Sequence, residues 1–151
     1  MSEYRPLVRL SDKEIMASLN VALLAEYRAV ADYDTHARAT QESEIRTALE
    51  TLRDVEQEHA MRLVSRIAAL GGTPADPAPL PEPEGDSLAS WIARDLQGEQ
   101  WAIVEYARLV AGILDDEETA HLMGELLADE IRHAAWLRTT LRDLQTGTGA
   151  G

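Results

Sequence analysis

The chain has 151 residues, 45% of them hydrophobic, which is about one domain of sequence and enough to bury a substantial core. Its 14 Lys and Arg against 27 Asp and Glu give a formal net charge of −13, which argues against nucleic acid or an anionic membrane surface as a partner. There is no cysteine, so disulfides, thiolate metal sites and iron–sulfur clusters are excluded.

The opening residues MSEYRPLVRL lack the apolar core of a signal peptide. No apolar run approaches the roughly 20 residues of a membrane span, so a soluble, cytoplasmic protein is expected. Ser11-Asp12-Lys13-Glu14 is a capping box and predicts the start of a first helix. Leu19, Leu23, Glu26, Val30 and Tyr33 then follow at three- and four-residue steps along one face. The polar stretch Thr40 to Glu44 is the best place for a turn. Ile45, Leu49, Leu52, Glu56, His59, Leu63 and Ile67 trace the face of a second helix, which Gly71-Gly72 ends.

Residues 73–85, TPADPAPLPEPEG, hold five prolines and cannot be helical. Two helices on either side would struggle to bury a core alone, so this segment reads as a crossover rather than an interdomain linker. Extended at about 3.1 Å per residue, it reaches roughly 40 Å. That matches the length of a helix of about 28 residues, at about 1.5 Å per residue. Asp86 or Ser87 caps a third helix, with Leu88, Ile92, Leu96, Glu99, Ile103 and Tyr106 or Val110 on its face. Asp115 to Glu118 forms a second acidic turn. A fourth helix carries Leu122, Leu126, Glu130, His133 and Leu137 and fades near Leu144, leaving a flexible tail over 146–151. The expected fold is all-α: one antiparallel four-helix bundle spanning 1–151, helical over about 11–145, with a long crossover between helices 2 and 3.

The two halves repeat. Glu26-Tyr27-Arg28-Ala29-Val30-Ala31-Asp32-Tyr33 aligns with Glu99-Gln100-Trp101-Ala102-Ile103-Val104-Glu105-Tyr106. Glu56-x-x-His59-Ala60-x-x-Leu63 aligns with Glu130-x-x-His133-Ala134-x-x-Leu137. Residues three apart share a helix face, so each Glu-x-x-His offers a carboxylate and an imidazole to one point. Depth agrees: Glu26 lies as far from the Ser11 start as Glu56 lies from the Gly71 stop, and Glu99 and Glu130 match similarly. Four Glu and two His therefore converge in mid-bundle.

Four carboxylates in an apolar core incur desolvation and repel one another, and two divalent cations balance them charge for charge. Oxygen and imidazole donors without thiolate favour iron or manganese, a mixed pair of these, or zinc. The expected arrangement has Glu56 and Glu130 bridging two metals, with Glu26 and His59 terminating one and Glu99 and His133 the other. Glu105 is the alternative to Glu99. Tyr106, Trp91, Trp101 and Trp136 read as packing or interface residues, while His36 and His121 read as surface or peripheral positions.

The set Glu26, Glu56-x-x-His59, Glu99 and Glu130-x-x-His133 resembles the di-iron carboxylate site of the ferritin-like superfamily, particularly bacterioferritins and rubrerythrins. The resemblance covers about residues 11 to 145. It implies a crossover four-helix bundle whose two iron ions react with O2 or H2O2, with Fe2+ as partner, in iron homeostasis or oxidative-stress defence. It also implies that Tyr33 hydrogen-bonds a ligand beside the metals and that Asp129 steadies a ligand histidine. The counterpart of Asp129 is Val55, so any difference between the two metals is expected there.

Three departures choose among members. Rubrerythrins carry a further Glu where this chain has Ala102, and they usually add a Cys-rich domain. Bacterioferritins place a haem-ligating Met between the Glu and His of helix 2, where this chain has Gln57 and Glu58, so no haem is expected. Cage-forming ferritins have a short fifth helix, which makes a homodimer the expectation over a 24-subunit shell. A ferroxidase or peroxidase is the leading reading. A di-metal oxygenase acting on an organic substrate and a non-catalytic storage or structural bundle are the alternatives.

Overall fold

The computed structural model describes residues 8–80 and 85–147. Four helices follow one another: α1 (Asp12–Ala39), α2 (Ser43–Ala69), α3 (Leu88–Gly112) and α4 (Glu117–Thr146). Local chemistry sets most of their ends. Ser11 and Glu14 form the reciprocal capping box at the start of α1. Ser87, rather than Asp86, caps α3 through Ser90, and Asp116 accepts from the Thr119 amide at the start of α4. Glu117 and Glu118 therefore belong to the first turn of α4, where negative charge suits the helix dipole, and not to the preceding turn. The last helix runs two residues past Leu144 and stops at Gly147, whose left-handed φ of 72° a side chain would resist. Thr146 is thus helical; the rest of the expected flexible tail, 148–151, lies outside the described residues.

Contacts at the helix ends give the direction of each helix. The end of α2 returns to the start of α1, where Gly72 sits against Met16. Trp91, near the start of α3, stacks on His36 at the end of α1. The Leu10 amide bonds to the Gly112 carbonyl at 2.9 Å, joining the end of α3 to the start of α1. Each helix is therefore antiparallel to its neighbours, and the end of α2 and the start of α3 lie at opposite ends of the bundle, a separation within the reach expected of the proline-rich segment. Asn20 anchors the start of that crossover, donating to the Thr73 carbonyl at 3.2 Å and accepting from the Ala75 amide at 2.8 Å. Arg46 of α2 closes the end of α1 by donating to the carbonyls of Ala37 and Thr40. No helix among the described residues is long and apolar enough to cross a membrane.

The apolar core divides in two. One cluster gathers Leu19, Leu23, Leu63, Ile67, Leu109, Met123 and Leu126 towards the α1 start. The other gathers Leu49, Leu52, Ile92, Leu96 and Leu137 towards the α1 end. Between them lies a layer of buried acids and histidines.

Two helical glycines give a local test. A Cβ at Gly124 would meet nothing within 4 Å, whereas one at Gly112 would come within 2.7 Å of Leu10 Cγ. Gly124→Ala is expected to raise unfolding stability by about 0.5–1 kcal/mol through helix propensity. Gly112→Ala should gain nothing or lose stability, with both read from urea denaturation midpoints.

Candidate metal centre

The periodicity that makes these helices amphipathic also aims the polar layer inwards. Glu26 comes from α1, Glu56 and His59 from α2, Glu99 from α3, and Glu130 and His133 from α4. All six are buried, none more than 6% exposed. They fall into two overlapping quartets: Glu26, Glu56, His59 and Glu130, and then Glu56, Glu99, Glu130 and His133. Within each quartet one donor atom per residue lies within 4.8 Å of the others. The two shared residues are Glu56 and Glu130, the pair expected to bridge. Glu105 takes no part; it is paired with Arg108 at the helix surface.

The imidazoles face one another, their centroids 6.4 Å apart and their planes inclined by 16°. His59 Nδ1 lies 3.4–3.5 Å from carboxylate oxygens of Glu26, Glu56 and Glu130. His133 Nδ1 lies 3.1 Å from Glu56, 3.5 Å from Glu99 and 3.4 Å from Glu130. Every one of the six residues leaves a buried atom without a hydrogen-bond partner: Oε2 of Glu26 and Glu99, Oε1 of Glu56 and Glu130, and Nδ1 of both histidines. Buried polar atoms are nearly always satisfied, and six orphans in one layer demand a partner that protein atoms do not supply. Hard oxygen donors with two imidazoles fit two divalent cations.

Two tyrosines buttress this layer symmetrically. Tyr33 donates its hydroxyl to Glu99 Oε1 at 2.5 Å, and Tyr106 donates to Glu26 Oε1 at 2.7 Å. Each belongs to the other hairpin from its glutamate, so Tyr106, read from sequence as a packing residue, stands on the same footing as Tyr33. Asp129 also reaches across: its Oδ2 lies 2.8 Å from His59 Nε2, on the opposite hairpin, and Arg132 engages its other oxygen.

His36 departs from the sequence expectation. It is fully buried, its Nδ1 2.8 Å from Asp95 Oδ2, with its ring stacked on Trp91. Three residues after Tyr33, it shares the inward face of α1, and Asp95 lies one turn before Glu99. That i, i+3 step was the available signal; the buried partner 59 residues away was not. His121 is exposed, as expected.

Electrostatics follow from crowding. Burial, then the charges of Glu26 and Glu130, push the Glu56 carboxyl well above its ordinary range. Burial raises Glu130 to about 9, against the relief that His59 gives and with the added repulsion of Glu26 and Glu99. Burial opposes charge on His59, but the carboxylates of Glu130 and Glu26, with Asp129, outweigh it and hold the imidazole up at about 10. Burial first, and then Glu99 or Glu26, keeps both tyrosines protonated well above their usual range. Without cations, the layer keeps its charge in check by holding protons.

A cavity of about 190 Å3 reaches this layer between α1 and α3. Ala25, Ala29, Gly98, Trp101 and Ala102 line it, together with Tyr33, Tyr106 and all four glutamates.

Comparison with known proteins places this arrangement. Residues 16–146 match the profile of the ferritin family, described as a ferritin-like domain. This chain belongs to the ferritin-like family. A bacterioferritin of Brucella melitensis biotype 1 is 30% identical over 135 residues, spanning 86% of this chain and 84% of that one. Among solved structures, a dodecameric thioferritin, the bacterioferritin-related protein of Bacteroides fragilis, superposes with a TM-score of 0.81 at 23% identity, over 93% of this chain and 91% of its own. A Rhodobacter capsulatus bacterioferritin, solved with a metal-free dinuclear site and a haem iron, superposes with a TM-score of 0.79 at 25% identity, over 92% and 89%. The all-α bundle with its long crossover is thus the ferritin-like fold.

The raised groups fix how the metal-free ferritin-like bundle responds to pH. Glu130 moves from 4.5 to about 9 and His59 from 6.5 to about 10, so between these limits the folded state holds protons that the unfolded chain has released. Their stabilisation is complete below the unfolded values and is lost as pH rises through the folded ones. The melting temperature of the metal-free protein should fall as pH rises from about 5 to about 9. Glu130→Gln should flatten that slope in a thermal-melt series.

Proposed function

We propose that this ferritin-like chain holds two iron ions through Glu26, Glu56, His59, Glu99, Glu130 and His133 and is a ferroxidase or peroxidase. In this reading Fe2+ and O2 or H2O2 are the reactants. The observation that carries it is the set of six buried, unpartnered donor atoms in two quartets sharing Glu56 and Glu130. The family supports iron as the metal. Bound there, two iron ions supply the electrons that reduce O2 or H2O2.

The protein's own work is electrostatic and geometric. Four carboxylates neutralise the cations, and the protons that Glu56, Glu130 and His59 hold beforehand are released when cations bind. Tyr106 and Tyr33 each occupy one oxygen of Glu26 and Glu99, orienting the free oxygen, Oε2, towards the layer. Asp129 accepts a hydrogen bond from His59 Nε2, so that Nδ1, once its own proton is released, is left facing the layer for a ligand. The two apolar clusters exclude bulk water from both sides.

The cavity favours small reactants. Its roughly 190 Å3 falls below the 300–1,000 Å3 or so typical of sites for organic ligands, which weighs against an oxygenase. Ala102 keeps it open where a larger acid would fill it. Gln57 and Glu58 offer no thioether to a haem iron, so the haem of the Rhodobacter protein is not carried over. A cytoplasmic homodimer is the assembly proposed, with exposed Val21, Leu24 and Met61 available to an interface. Sedimentation of the purified protein decides between this and a larger shell such as the Bacteroides dodecamer.

Stopped-flow oxidation tests the reading. Fe2+ mixed with the protein at two per chain should oxidise much faster with O2 or H2O2 than free Fe2+. Glu56→Gln combined with Glu130→Gln should lower that rate by more than about a hundredfold, beyond the usual cost of losing a ligand's outer partner. Oxidation at the rate of free Fe2+, unchanged in the double variant, would leave a storage or structural bundle instead.

A further inference from the structure

We infer that Asp95 is the proton donor to the reactant in the cavity between α1 and α3, and that His36 is the residue that positions and tunes it. This rests on the reading that O2 or H2O2 is reduced there at the expense of Fe2+.

Outside the six-residue layer, His36 and Asp95 are the one buried acid–base pair among the described residues. His36 is fully buried, Asp95 is 6% exposed, and His36 Nδ1 lies 2.8 Å from Asp95 Oδ2. Trp91 stacks on the imidazole and is itself pinned, its indole N–H donating to the Gly85 carbonyl at 3.1 Å. His36 Nε2 has no hydrogen-bond partner. That orphan favours the neutral ring, which leaves a buried acceptor there rather than a charged N–H donor. Asp95 Oδ2 then accepts from Nδ1, and the exchangeable proton of the pair sits on Oδ1. A brace between hairpins needs no such pair, because apolar side chains of similar size would serve as well or better.

Asp95 also lines the cavity, one helical turn before Glu99, together with Tyr33 and all four glutamates. Reduction in that space consumes protons. H2O2 takes two electrons from two Fe2+ and two protons, its O–O bond breaks, and two waters form; O2 takes the same to give H2O2. The layer has no protons to offer once it is loaded, since those on Glu56, Glu130 and His59 leave as cations bind. Burial holds both tyrosine hydroxyls protonated well above their usual range. Asp95 is better matched: burial lifts its carboxyl to about 6, against the pull of His36 and with added repulsion from Asp32 and Glu99. The groups around it are His36, Tyr33 and Asp32 on α1 and Arg94 and Glu99 on α3, with Glu56 of α2 and Glu130 of α4 on the same cavity. Each proton that Oδ1 gives is replaced from solvent, which the cavity meets beside exposed Gly98 and Trp101.

Stopped-flow mixing of H2O2 with full-length protein preloaded with Fe2+ is the test. The oxidation rate of the unmodified protein should fall as pH rises and Asp95 loses its proton. Asp95→Asn keeps an acceptor for His36 and should bind the same two cations in a Co2+ titration. It should nevertheless oxidise at least about 100-fold more slowly, with the pH dependence gone. His36→Phe keeps a ring against Trp91 but removes the group that pulls Asp95 down, so the fall should move to higher pH. His36→Gln serves the same purpose if thermal melts show the Phe variant unfolded. Without metal or turnover, a carbon-13 NMR titration should show an Asp95 carboxyl changing near pH 6, absent in Asp95→Asn and moved upward in His36→Phe. An unchanged rate and pH profile in Asp95→Asn, or a profile that His36→Phe leaves in place, would overturn the inference. Loss of cation binding in Asp95→Asn would also overturn it, by marking the pair as a brace. Oxidation in the unmodified protein no faster than that of free Fe2+ would instead overturn the reading on which it stands.

Discussion

The constraint that governs this bundle is the burial of four carboxylates and two imidazoles in a layer with too few protein partners. Desolvation and mutual repulsion make such a layer unfavourable, and the surrounding apolar clusters must hold it closed. With no cation bound, protons on Glu56, Glu130 and His59 limit the net charge. Two divalent cations meet the same demand better, since they satisfy the orphaned donor atoms as well as the charge. Stability and proposed function are therefore in tension at one place, and the bundle is built around it.

The layer also couples the two hairpins. Tyr33 to Glu99, Tyr106 to Glu26, His36 to Asp95 and His59 to Asp129 all cross from one hairpin to the other. Each proposed terminal carboxylate is thus oriented by a side chain that arrives only when the hairpins dock. Preorganisation of this kind suits a redox centre that must hold its ligands while metal charge changes, because apolar packing on either side resists their relaxation. The cavity between α1 and α3 gives access to the layer.

Much of this was legible in the sequence, and the reason is periodic. Glu-x-x-His places two donors on one helical face, and a repeat of the whole hairpin places the second set at the same depth as the first. The capping box at Ser11, the prolines of the crossover and the glycines after α2 are local signals with local causes. What the sequence hid was pairing between distant positions. Tyr33 lies two turns from Glu26 on its own helix, about 10 Å away along the axis, so its partner had to be found elsewhere. It is Glu99, 66 residues on. His36 looked peripheral because Asp95 and Trp91, which bury it, lie on another hairpin. Asp129 was legible as a histidine's support, but only the packing shows that the histidine is His59 and not its helix neighbour His133.

Everything proposed here depends on the buried layer holding two metals bridged by Glu56 and Glu130. Anomalous diffraction at the iron edge, from crystals grown with Fe2+, tests it most directly. Two peaks are expected inside the bundle, one among Glu26, Glu56, His59 and Glu130 and the other among Glu56, Glu99, Glu130 and His133. Iron found only at the surface, or a layer whose donor atoms close on one another with no metal between them, would contradict it.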